Sequence, residues 1–386
     1  MDAVLITNVD FPFGSAWSSR ARSFVMLFCS CGYHVHVIAP QPAGKQNNDV
    51  LMGYDYSIEY VNYKANFLTL CGIGAASPFC NALSSYLKKH KVSFVFSNRM
   101  PFASEQVSSV ARSFGVPYIL EQCEWFDPSS FKGGIFNPYY RKSEHQIKVT
   151  NFKIADGVVA ISRLFEKHYS RLPVIRIPTI LDIQQINYSL EVNDEKQCHL
   201  IFTGNIGGKK ELLKPIFEAM VGIPSCKDVL HLDLYGPNEK QVLENISEDN
   251  DLWGKVSDSV TIHGRIPQQR VEEKLREADY SIFVRPKRLS SDAGFPTKLA
   301  ESMSVGTPVI TNDTGDVSLY VNESTGYLLS DNTSESLIKV FESLIQKSKE
   351  ETRQMRMLAR KKAEESFDFR CYIELFEKFI ISINKM

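Results

Sequence analysis

Residues 285–312, RPKRLSSDAGFPTKLAESMSVGTPVITN, combine residue types that can bind a phosphate group next to a hydroxylated ring. A loop with Gly294 and Phe295 follows an apolar run, and Pro296 suits the first position of a helix that Gly306 ends. The first turn of a helix has N–H groups without partners inside the helix, and the helix dipole adds positive potential there. The segment therefore predicts a phosphate site.

Two side chains of this predicted helix would complete a nucleotide site. Thr297 and Glu301 are four residues apart, so they share one helix face. With a diphosphate at the helix start, Glu301 would accept hydrogen bonds from ribose hydroxyls one turn deeper. A buried helix in which Glu301 pairs with Lys298 explains the same residues equally well. Arg285, at the end of the preceding strand, would add a guanidinium.

A second group of such residues follows the apolar run 199–204. Asn205 comes directly after Gly204, and Lys209 and Lys210 stand a few positions further on. Cations placed here in advance would stabilise the charge that grows on a leaving diphosphate. The alternative is a solvated helix start, but lysines are disfavoured there unless an anion is bound.

The elements that must position these residues are strands that alternate with helices. Such alternation predicts doubly wound parallel sheets in an α/β fold, with helices on both faces. We expect one domain over 1–182 and another over 183–369, joined by the polar segment 175–197, with a cleft between them. Ligands of open α/β sheets bind beyond the carboxyl ends of the strands. The predicted strands are 4–9, 34–40, 94–98, 117–122 and 157–162, then 199–204, 229–236, 260–266, 280–285, 307–312 and 326–329.

Composition narrows the class of protein. The chain has 386 residues, 43% hydrophobic and 23% charged, which is ordinary for a soluble globular protein of two domains. A net charge of -1 argues against a nucleic-acid-binding function. Residues 1–190 carry 18 basic and 13 acidic side chains, through chance or through an anionic partner on that side. Eight cysteines without metal or disulfide spacing, and no signal peptide, predict a cytoplasmic protein.

Residues 65–87 are uncharged but contain Asn, Gly, Pro and Ser. This composition is too polar for a transmembrane helix. Because the basic residues 88–91 follow, an interfacial segment that contacts the inner face of the plasma membrane is one interpretation, and a plain loop and helix is the other.

The segment GFPTKLAESMSVGTPVI (294–310) resembles the signature of the family-4 retaining glycosyltransferases, of the bacterial surface-polysaccharide type. That motif is Glu, seven residues and Glu, followed by a small residue and Gly-x-Pro-Val. The second Glu matches Glu301, whereas the first falls on Ala293, beside Asp292. The resemblance implies the GT-B fold, two Rossmann-like domains facing a central cleft, with the last helix (370–386) returning to the first domain.

The resemblance extends to segments 11–24, 115–128, 202–220, 230–237 and 260–267. It implies Lys209, Arg285 and Glu301 as catalytic residues, with Asn205 where the family usually has Arg. The implied donor-binding residues are Gly14, Gly204, Asn205, Lys209, Lys210, Gly236, His263, Gly264, Arg265, Ile266, Gly294, Phe295, Pro296, Thr297, Lys298 and Glu301.

Acceptor-binding candidates lie in the first domain. Arg20 would contact an anionic acceptor unless it is an ordinary exposed arginine, and Glu121 or Glu124 would bind sugar hydroxyls. A structural ion-pair partner is an equal interpretation of Glu121, and Trp125 would stack on a sugar ring. Cys123 stands where many members of the family have His, and no nearby base supports a nucleophilic role.

The resemblance implies transfer of a hexose or N-acetylhexosamine from a UDP- or GDP-sugar to a saccharide or lipid-linked glycan, without a metal ion. The rival interpretation is a non-catalytic sugar-nucleotide-binding or partner subunit, which the replacements at Ala293 and Cys123 favour. A sugar-nucleotide epimerase would need an acid/base set that is not recognisable here. The absence of a Gly-x-Gly-x-x-Gly after a strand argues against a nicotinamide dehydrogenase.

Overall fold

The chain forms two compact units in a computed structural model that describes residues 1–42, 51–63, 76–98, 103–125, 137–192, 197–207 and 210–385. Unit 1 comprises Met1–Asp182, Ala293–Phe295 and Asp368–Met386. Unit 2 comprises Ile183–Asp292 and Pro296–Phe367. Each unit is built around its own parallel sheet.

The strands and helices follow one another in regular alternation over most of the described residues. The strands are β1 (Asp2–Thr7), β2 (His34–Pro40), β3 (Tyr56–Val61), β4 (Val92–Asn98), β5 (Tyr118–Gln122), β6 (Gly157–Ala160), β7 (Val174–Arg176), β8 (Cys198–Thr203), β9 (Leu230–Tyr235), β10 (Val260–Gly264), β11 (Tyr280–Ile282), β12 (Val309–Asn312) and β13 (Gly326–Leu329). The helices are α1 (Ala16–Ser30), α2 (Ser77–Leu87), α3 (Ser104–Ser113), α4 (Pro138–His145), α5 (Asn151–Ile154), α6 (Arg163–His168), α7 (Lys214–Gly222), α8 (Cys226–Val229), α9 (Glu239–Asn245), α10 (Asn250–Val256), α11 (Gln268–Glu277), α12 (Leu289–Ala293), α13 (Thr297–Ser304), α14 (Ser334–Gln346), α15 (Lys349–Ser366) and α16 (Ile373–Ile383).

Both sheets reverse their strand order once. The sheet of unit 1 has the order β3-β2-β1-β4-β5-β6-β7, so its order reverses between β1 and β4. The sheet of unit 2 has the order β10-β9-β8-β11-β12-β13 and reverses between β8 and β11. Neighbouring strands pair in parallel in both sheets. The predicted class, two doubly wound parallel sheets, is confirmed.

Helix α1 shows how the local sequence sets an element. Ser15 caps its start and forms a reciprocal capping box with Ser18. The helix buries Phe24 and Phe28, four residues apart, in the core of unit 1. It ends before Gly32, whose φ of 84° lies in the left-handed region that glycine adopts readily. The predicted helix and its stop are therefore confirmed.

The last helix, α16, belongs to the core of unit 1. Phe376, Phe379, Ile380 and Ile383 are buried in the same cluster as α1 and the first strands. The ring of Phe376 stacks on that of Phe28 with 4.7 Å between centroids.

The sequence-based strand predictions failed at two places. Strand β3 was missed, because its alternation is weak and five of its six residues are only half-buried. The predicted linker began too early. Val174–Arg176 is the edge strand β7, and Ile177 and Ile180 are fully buried in the core behind it. The first residues of the predicted linker 175–197 therefore belong to the sheet and core of unit 1, because they are apolar.

Of the uncharged segment 65–87, residues 77–87 form α2, and residues 65–75 lie outside the described part of the chain. No helix within the described ranges combines the length and the apolar character that crossing a membrane requires.

The packing of α16 on β6 is tested at Gly157. A Cβ added there would lie 2.7 Å from Phe379 Cζ and would also collide with Ile383. We expect Gly157→Ala to lower the free energy of unfolding by about 1–3 kcal/mol, since overpacking forces neighbouring side chains apart. Calorimetric unfolding measures this.

Gly254→Ala in α10 is the matched control, because no atom lies within 4 Å of its added Cβ. It should keep or raise stability, by up to about 1 kcal/mol, through helix propensity. An unchanged unfolding curve for Gly157→Ala would contradict the packing described for α16.

Candidate functional site

The carboxyl ends of three neighbouring strands in unit 2 approach one another closely. The amide of Gly204 donates to Tyr235 O at 2.9 Å, and the amide of Gly236 donates to Gly264 O at 2.7 Å. A Cβ at Gly236 would lie 2.9 Å from the carbonyl carbon of Gly204 and closer still to its oxygen. Only glycine fits at 236, which explains why the loops after β8 and β9 can share this edge.

A charged pair lies buried beside these glycines. Lys298 Nζ, on the first turn of α13, is 3.0 Å from Glu211 Oε1 in the loop after β8. Burial lowers the pKa of Lys298, and the charge of Glu211 acts in the opposite direction. The alternative pairing of Lys298 with Glu301 is therefore not the one that the structure shows.

Aromatic rings surround the Lys298 ammonium at the reversal of the strand order. It lies 4.2 Å from the centroid of Phe202, in β8, and 5.3 Å from that of Phe283, directly after β11. Ring faces attract cations, most strongly where water is excluded. Open α/β sheets bind ligands beyond the carboxyl ends of strands at such a reversal.

The remaining residues of α13 lie where an anion site needs them. The helix begins at Thr297, and Pro296 is its N-cap rather than its first residue, with no side chain of the described residues capping the first turn. Glu301 is half-buried one turn deeper, and Gln268 Nε2 donates to its Oε1 at 3.5 Å. Gly306, with a φ of 84°, follows the helix end as predicted.

Arg285 is held in place through its backbone. Its amide donates to Asn312 Oδ1 and its carbonyl accepts from Asn312 Nδ2, both at 2.8 Å. Its Nη1 donates to Ser291 O at 3.3 Å. Because both bonds to Asn312 use main-chain atoms of residue 285, they fix where its side chain starts without occupying the guanidinium.

The residues predicted to hold the base surround the end of β10. His263 Nε2 is 2.6 Å from Asp233 Oδ1, and its ring stacks on Tyr235 at 4.2 Å between centroids. Burial acts to raise the pKa of Asp233, but hydrogen bonds from His231 and His263 outweigh it and lower the pKa. The His263 side chain is thus engaged within unit 2, and Arg265 is exposed.

The loop after β8 carries no charge of its own over residues 204–207. Asn205 Oδ1 accepts from the amide of Gly207 at 2.7 Å, so its side chain closes the local turn. Lys210 is exposed, and Lys209 lies outside the described residues. Only one of the two predicted cations of this loop can therefore be located.

The position of the missing first motif Glu is occupied by a buried Ala293. Asp292 Oδ1 beside it accepts from the amide of Gly315 at 3.1 Å, which engages one of its oxygens inside unit 2. Ala293, Gly294 and Phe295 cluster with unit 1, where Ser162 Oγ donates to Ala293 O at 2.7 Å.

In unit 1 the predicted acceptor residues form a buried network instead of an open surface. Arg20 Nε donates to Glu121 Oε1, and Arg20 Nη2 donates to Ile177 O at 2.9 Å. Asn98 Nδ2 donates to Glu121 Oε2 and Asn98 Oδ1 accepts from Thr7 Oγ1 at 3.1 Å. The structural alternative left open for Glu121 is the one observed. Arg20, expected to be exposed or to contact the acceptor, is only 3% exposed.

The residues directly after β5 are buried or half-buried. Trp125 was expected to present a ring face to a sugar, but it is 7% exposed and stacks on Phe165 at 5.6 Å between centroids. Burial raises the pKa of the Cys123 thiol well above its usual value, which disfavours the thiolate form, and the absence of a nucleophilic role stays a prediction. Glu124 is half-buried beside them.

Gly14 precedes α1 with a φ of 154°, and a Cβ there would lie 2.9 Å from Asp10 Cβ. The glycine permits this close turn within unit 1, and its predicted donor contact stays a prediction.

Sequence reasoning missed Glu211 and Asn98. Asn98 is a polar residue at the carboxyl end of the apolar run FVFSN, a position where polar side chains of α/β sheets meet. Glu211 directly follows the two lysines, but its partner Lys298 is 87 positions away, and only the fold joins them.

Taken together, unit 2 presents a helix start, a buried ammonium and a held arginine near the carboxyl ends of its strands. This arrangement suits a ligand with a doubly charged phosphate portion and hydroxyl groups.

Residues 189–362 match the family described as Glycosyl transferases group 1. The matched residues lie almost entirely in unit 2. No curated protein sequence matches the chain.

Solved structures match over nearly the whole chain. Sucrose-phosphate synthase from Thermosynechococcus elongatus has a TM-score of 0.75 at 14% identity and covers 100% of this chain and 100% of that chain. Anabaena HepE in complex with UDP and glucose has a TM-score of 0.70 at 13% identity, covering 99% and 100%. WaaG, a glycosyltransferase involved in lipopolysaccharide biosynthesis, has a TM-score of 0.66 at 17% identity, covering 98% and 99%. These similarities confirm the predicted GT-B fold class.

The Arg20–Glu121 pair is tested by Glu121→Gln. The change leaves the buried guanidinium without a counter-charge, so we expect unit 1 to lose about 3–5 kcal/mol of stability. Urea unfolding, monitored through hydrogen exchange of the backbone amides of unit 1, measures this loss of free energy of unfolding.

The control is Glu144→Gln, which removes the same charge from the exposed pair with Lys148, 2.6 Å apart in the same unit. It should cost less than about 0.5 kcal/mol. Equal effects of the two variants would show that Glu121 makes no special contribution to stability.

Proposed function

We propose that the chain is a retaining glycosyltransferase of family 4 that moves a hexose or N-acetylhexosamine from a nucleoside-diphosphate sugar to an acceptor. The observation that supports this most directly is the buried Lys298 ammonium at the strand-order reversal of a Glycosyl transferases group 1 domain. A cation in that place complements a diphosphate.

The donor would bind along the strand ends of unit 2. The diphosphate would meet the first turn of α13, the ribose hydroxyls would donate to Glu301, and the base would contact main-chain groups of residues 263–266. The HepE structures hold UDP and UDP-glucose, which supports UDP over GDP as the first nucleotide to test.

Catalysis would rest on positive charge placed before the reaction begins. Arg285, Lys209 and Lys210 would stabilise the departing diphosphate, and such pre-placed charge is commonly the largest catalytic contribution. Among the described residues no convincing nucleophile faces this edge. The family resemblance implies front-face attack, in which the acceptor oxygen bonds to the anomeric carbon as the bond from that carbon to the leaving phosphate breaks, and the phosphate takes the acceptor proton.

The acceptor would be a saccharide or a lipid-linked glycan. The excess of basic residues in the first half of the chain supports an anionic acceptor. WaaG is involved in lipopolysaccharide biosynthesis, and WaaB, a further similar structure, is a lipopolysaccharide outer core galactosyltransferase, which supports a surface glycan. We place the enzyme in the cytoplasm, with peripheral contact to the inner face of the plasma membrane.

A non-catalytic subunit is the second candidate. Ala293 in place of the first motif Glu removes a carboxylate, and Asp292 already binds the amide of Gly315. A protein that binds sugar nucleotide without turnover would show this loss.

The donor site is tested at Glu301. We expect the best ligand among UDP, GDP, ADP and their sugars to raise the melting temperature of the wild type. Glu301→Ala should weaken nucleotide binding by about 1–3 kcal/mol, the cost of unpairing buried hydroxyls. Calorimetry of binding measures the difference. Glu342→Ala, an exposed carboxylate on α14 of the same unit, should bind like the wild type, and equal affinity of both variants would remove Glu301 from the site.

Turnover is tested by incubating the chain with radiolabelled nucleotide sugars and glycan acceptors. We expect labelled product with retained anomeric configuration. Addition of EDTA should leave the rate unchanged, because side chains rather than a metal ion would carry the positive charge. Specific nucleotide binding without any turnover would favour the non-catalytic subunit.

A further inference from the structure

The structure assigns to Glu211 the role of a positioning residue for the diphosphate: it holds Lys298 charged and in place beneath the uncharged loop at residues 204–207. This inference rests on the proposed function, because it concerns the same diphosphate. Glu211 is not among the donor-binding residues that the family resemblance implies.

The ammonium group of Lys298 lies against the backbone of residues at the start of the loop 204–207. A Cβ added to Gly204 would lie 3.4 Å from Lys298 Nζ, so the ammonium is in close contact with the backbone there. The loop residues themselves bring no cation, and the Asn205 side chain is occupied by Gly207. Among the described residues, the buried Lys298 ammonium is thus a positive charge in contact with this loop.

A buried ammonium keeps its proton only with a counter-charge. Removing it from water favours the neutral amine and lowers its pKa, and Glu211 is the main opposing group. Arg285 acts to lower the pKa further, Glu301 acts to raise it, and Arg288 lies within the field of Glu211. Without Glu211, the weaker influence of Glu301 would remain to support the charge.

Glu211 is anchored through its neighbours in the chain. Its carbonyl accepts from Asn245 Nδ2 at 2.9 Å, and the amide of Leu213 donates to Asn245 Oδ1 at 2.9 Å. The amide of Leu212 donates to Val284 O at 2.8 Å. The carboxylate therefore starts from a fixed backbone position.

The two oxygens of the Glu211 carboxylate differ. Oε1 forms an ion pair with Lys298 Nζ at 3.0 Å without hydrogen-bond geometry, whereas Oε2 is buried and accepts no hydrogen bond from the described residues. A buried carboxylate oxygen without a hydrogen bond lowers the free energy of unfolding. Among the described residues, its ion pair with Lys298 accounts for its presence.

The test compares Glu211→Gln with the wild type across pH 6.5–9.0, using UDP and inorganic pyrophosphate as ligands and calorimetry as the measurement. The ratio of the variant dissociation constant to the wild-type constant cancels the titration of the ligand itself. We expect a ratio near one at low pH. It should rise by about tenfold or more as pH increases, since Lys298 then loses its proton and one charge-assisted contact.

Two further variants separate positioning from a merely structural role. Lys298→Met keeps the stem over Phe202 but removes the charge, so its ratio should be raised at every pH. The double variant Glu211→Gln/Lys298→Met should behave like Lys298→Met. Glu218→Gln, which breaks a half-exposed contact with Lys214 3.9 Å away in the same unit, should match the wild type.

The outcomes distinguish this inference from the proposed function. A wild type that binds no UDP, GDP or pyrophosphate would overturn the proposed function itself. A wild type that binds UDP, together with a flat ratio for Glu211→Gln, would overturn the role of Glu211. If Glu211→Gln fails to fold, wild-type affinity for UDP in Lys298→Met would overturn it in the same way.

Discussion

A charge buried in a parallel α/β sheet needs a counter-charge close by, and this requirement recurs at the strand-order reversal of both units. In unit 1 the Arg20–Glu121 pair connects α1 and β5 near the end of β4. In unit 2 the Lys298–Glu211 pair lies between the ends of β8 and β11. Removal of either member of such a pair leaves an uncompensated charge, which costs far more than loss of a surface ion pair.

The two pairs lie near the strand-order reversal of their respective sheets, but their surroundings differ. Arg20 also donates a hydrogen bond to the backbone of Ile177, so its guanidinium is hydrogen-bonded within unit 1. Lys298 has the Glu211 carboxylate and two ring faces around it, beside the uncharged residues 204–207 and a helix start without a side-chain cap. The first pair therefore acts as an internal tie, whereas the second adds positive potential to an edge suited to a phosphate.

The fold was largely predictable because its signals are local. Apolar runs of strand length, separated by amphipathic helices, predicted both sheets, and glycine at 32 and 306 predicted two helix ends. Strand β3 was not predicted because an edge strand needs little apolar character. Strand β7 was not predicted because polar residues follow it directly. The site was predictable in type, through α13 and the loop after β8, but not in its pairings. Trp125 is the clearest failure, since nothing in its neighbours along the chain indicates that Phe165 covers its ring.

What the sequence by itself determined is the order and kind of the elements, the class of the fold and the presence of residues suited to a diphosphate. Only the tertiary structure decided which of those residues face one another. Glu211 pairs with Lys298 and Glu121 with Arg20 across long stretches of chain. Helix and strand periodicity arise from contacts a few residues apart, whereas charge pairing depends on which strand ends become neighbours in the folded sheet.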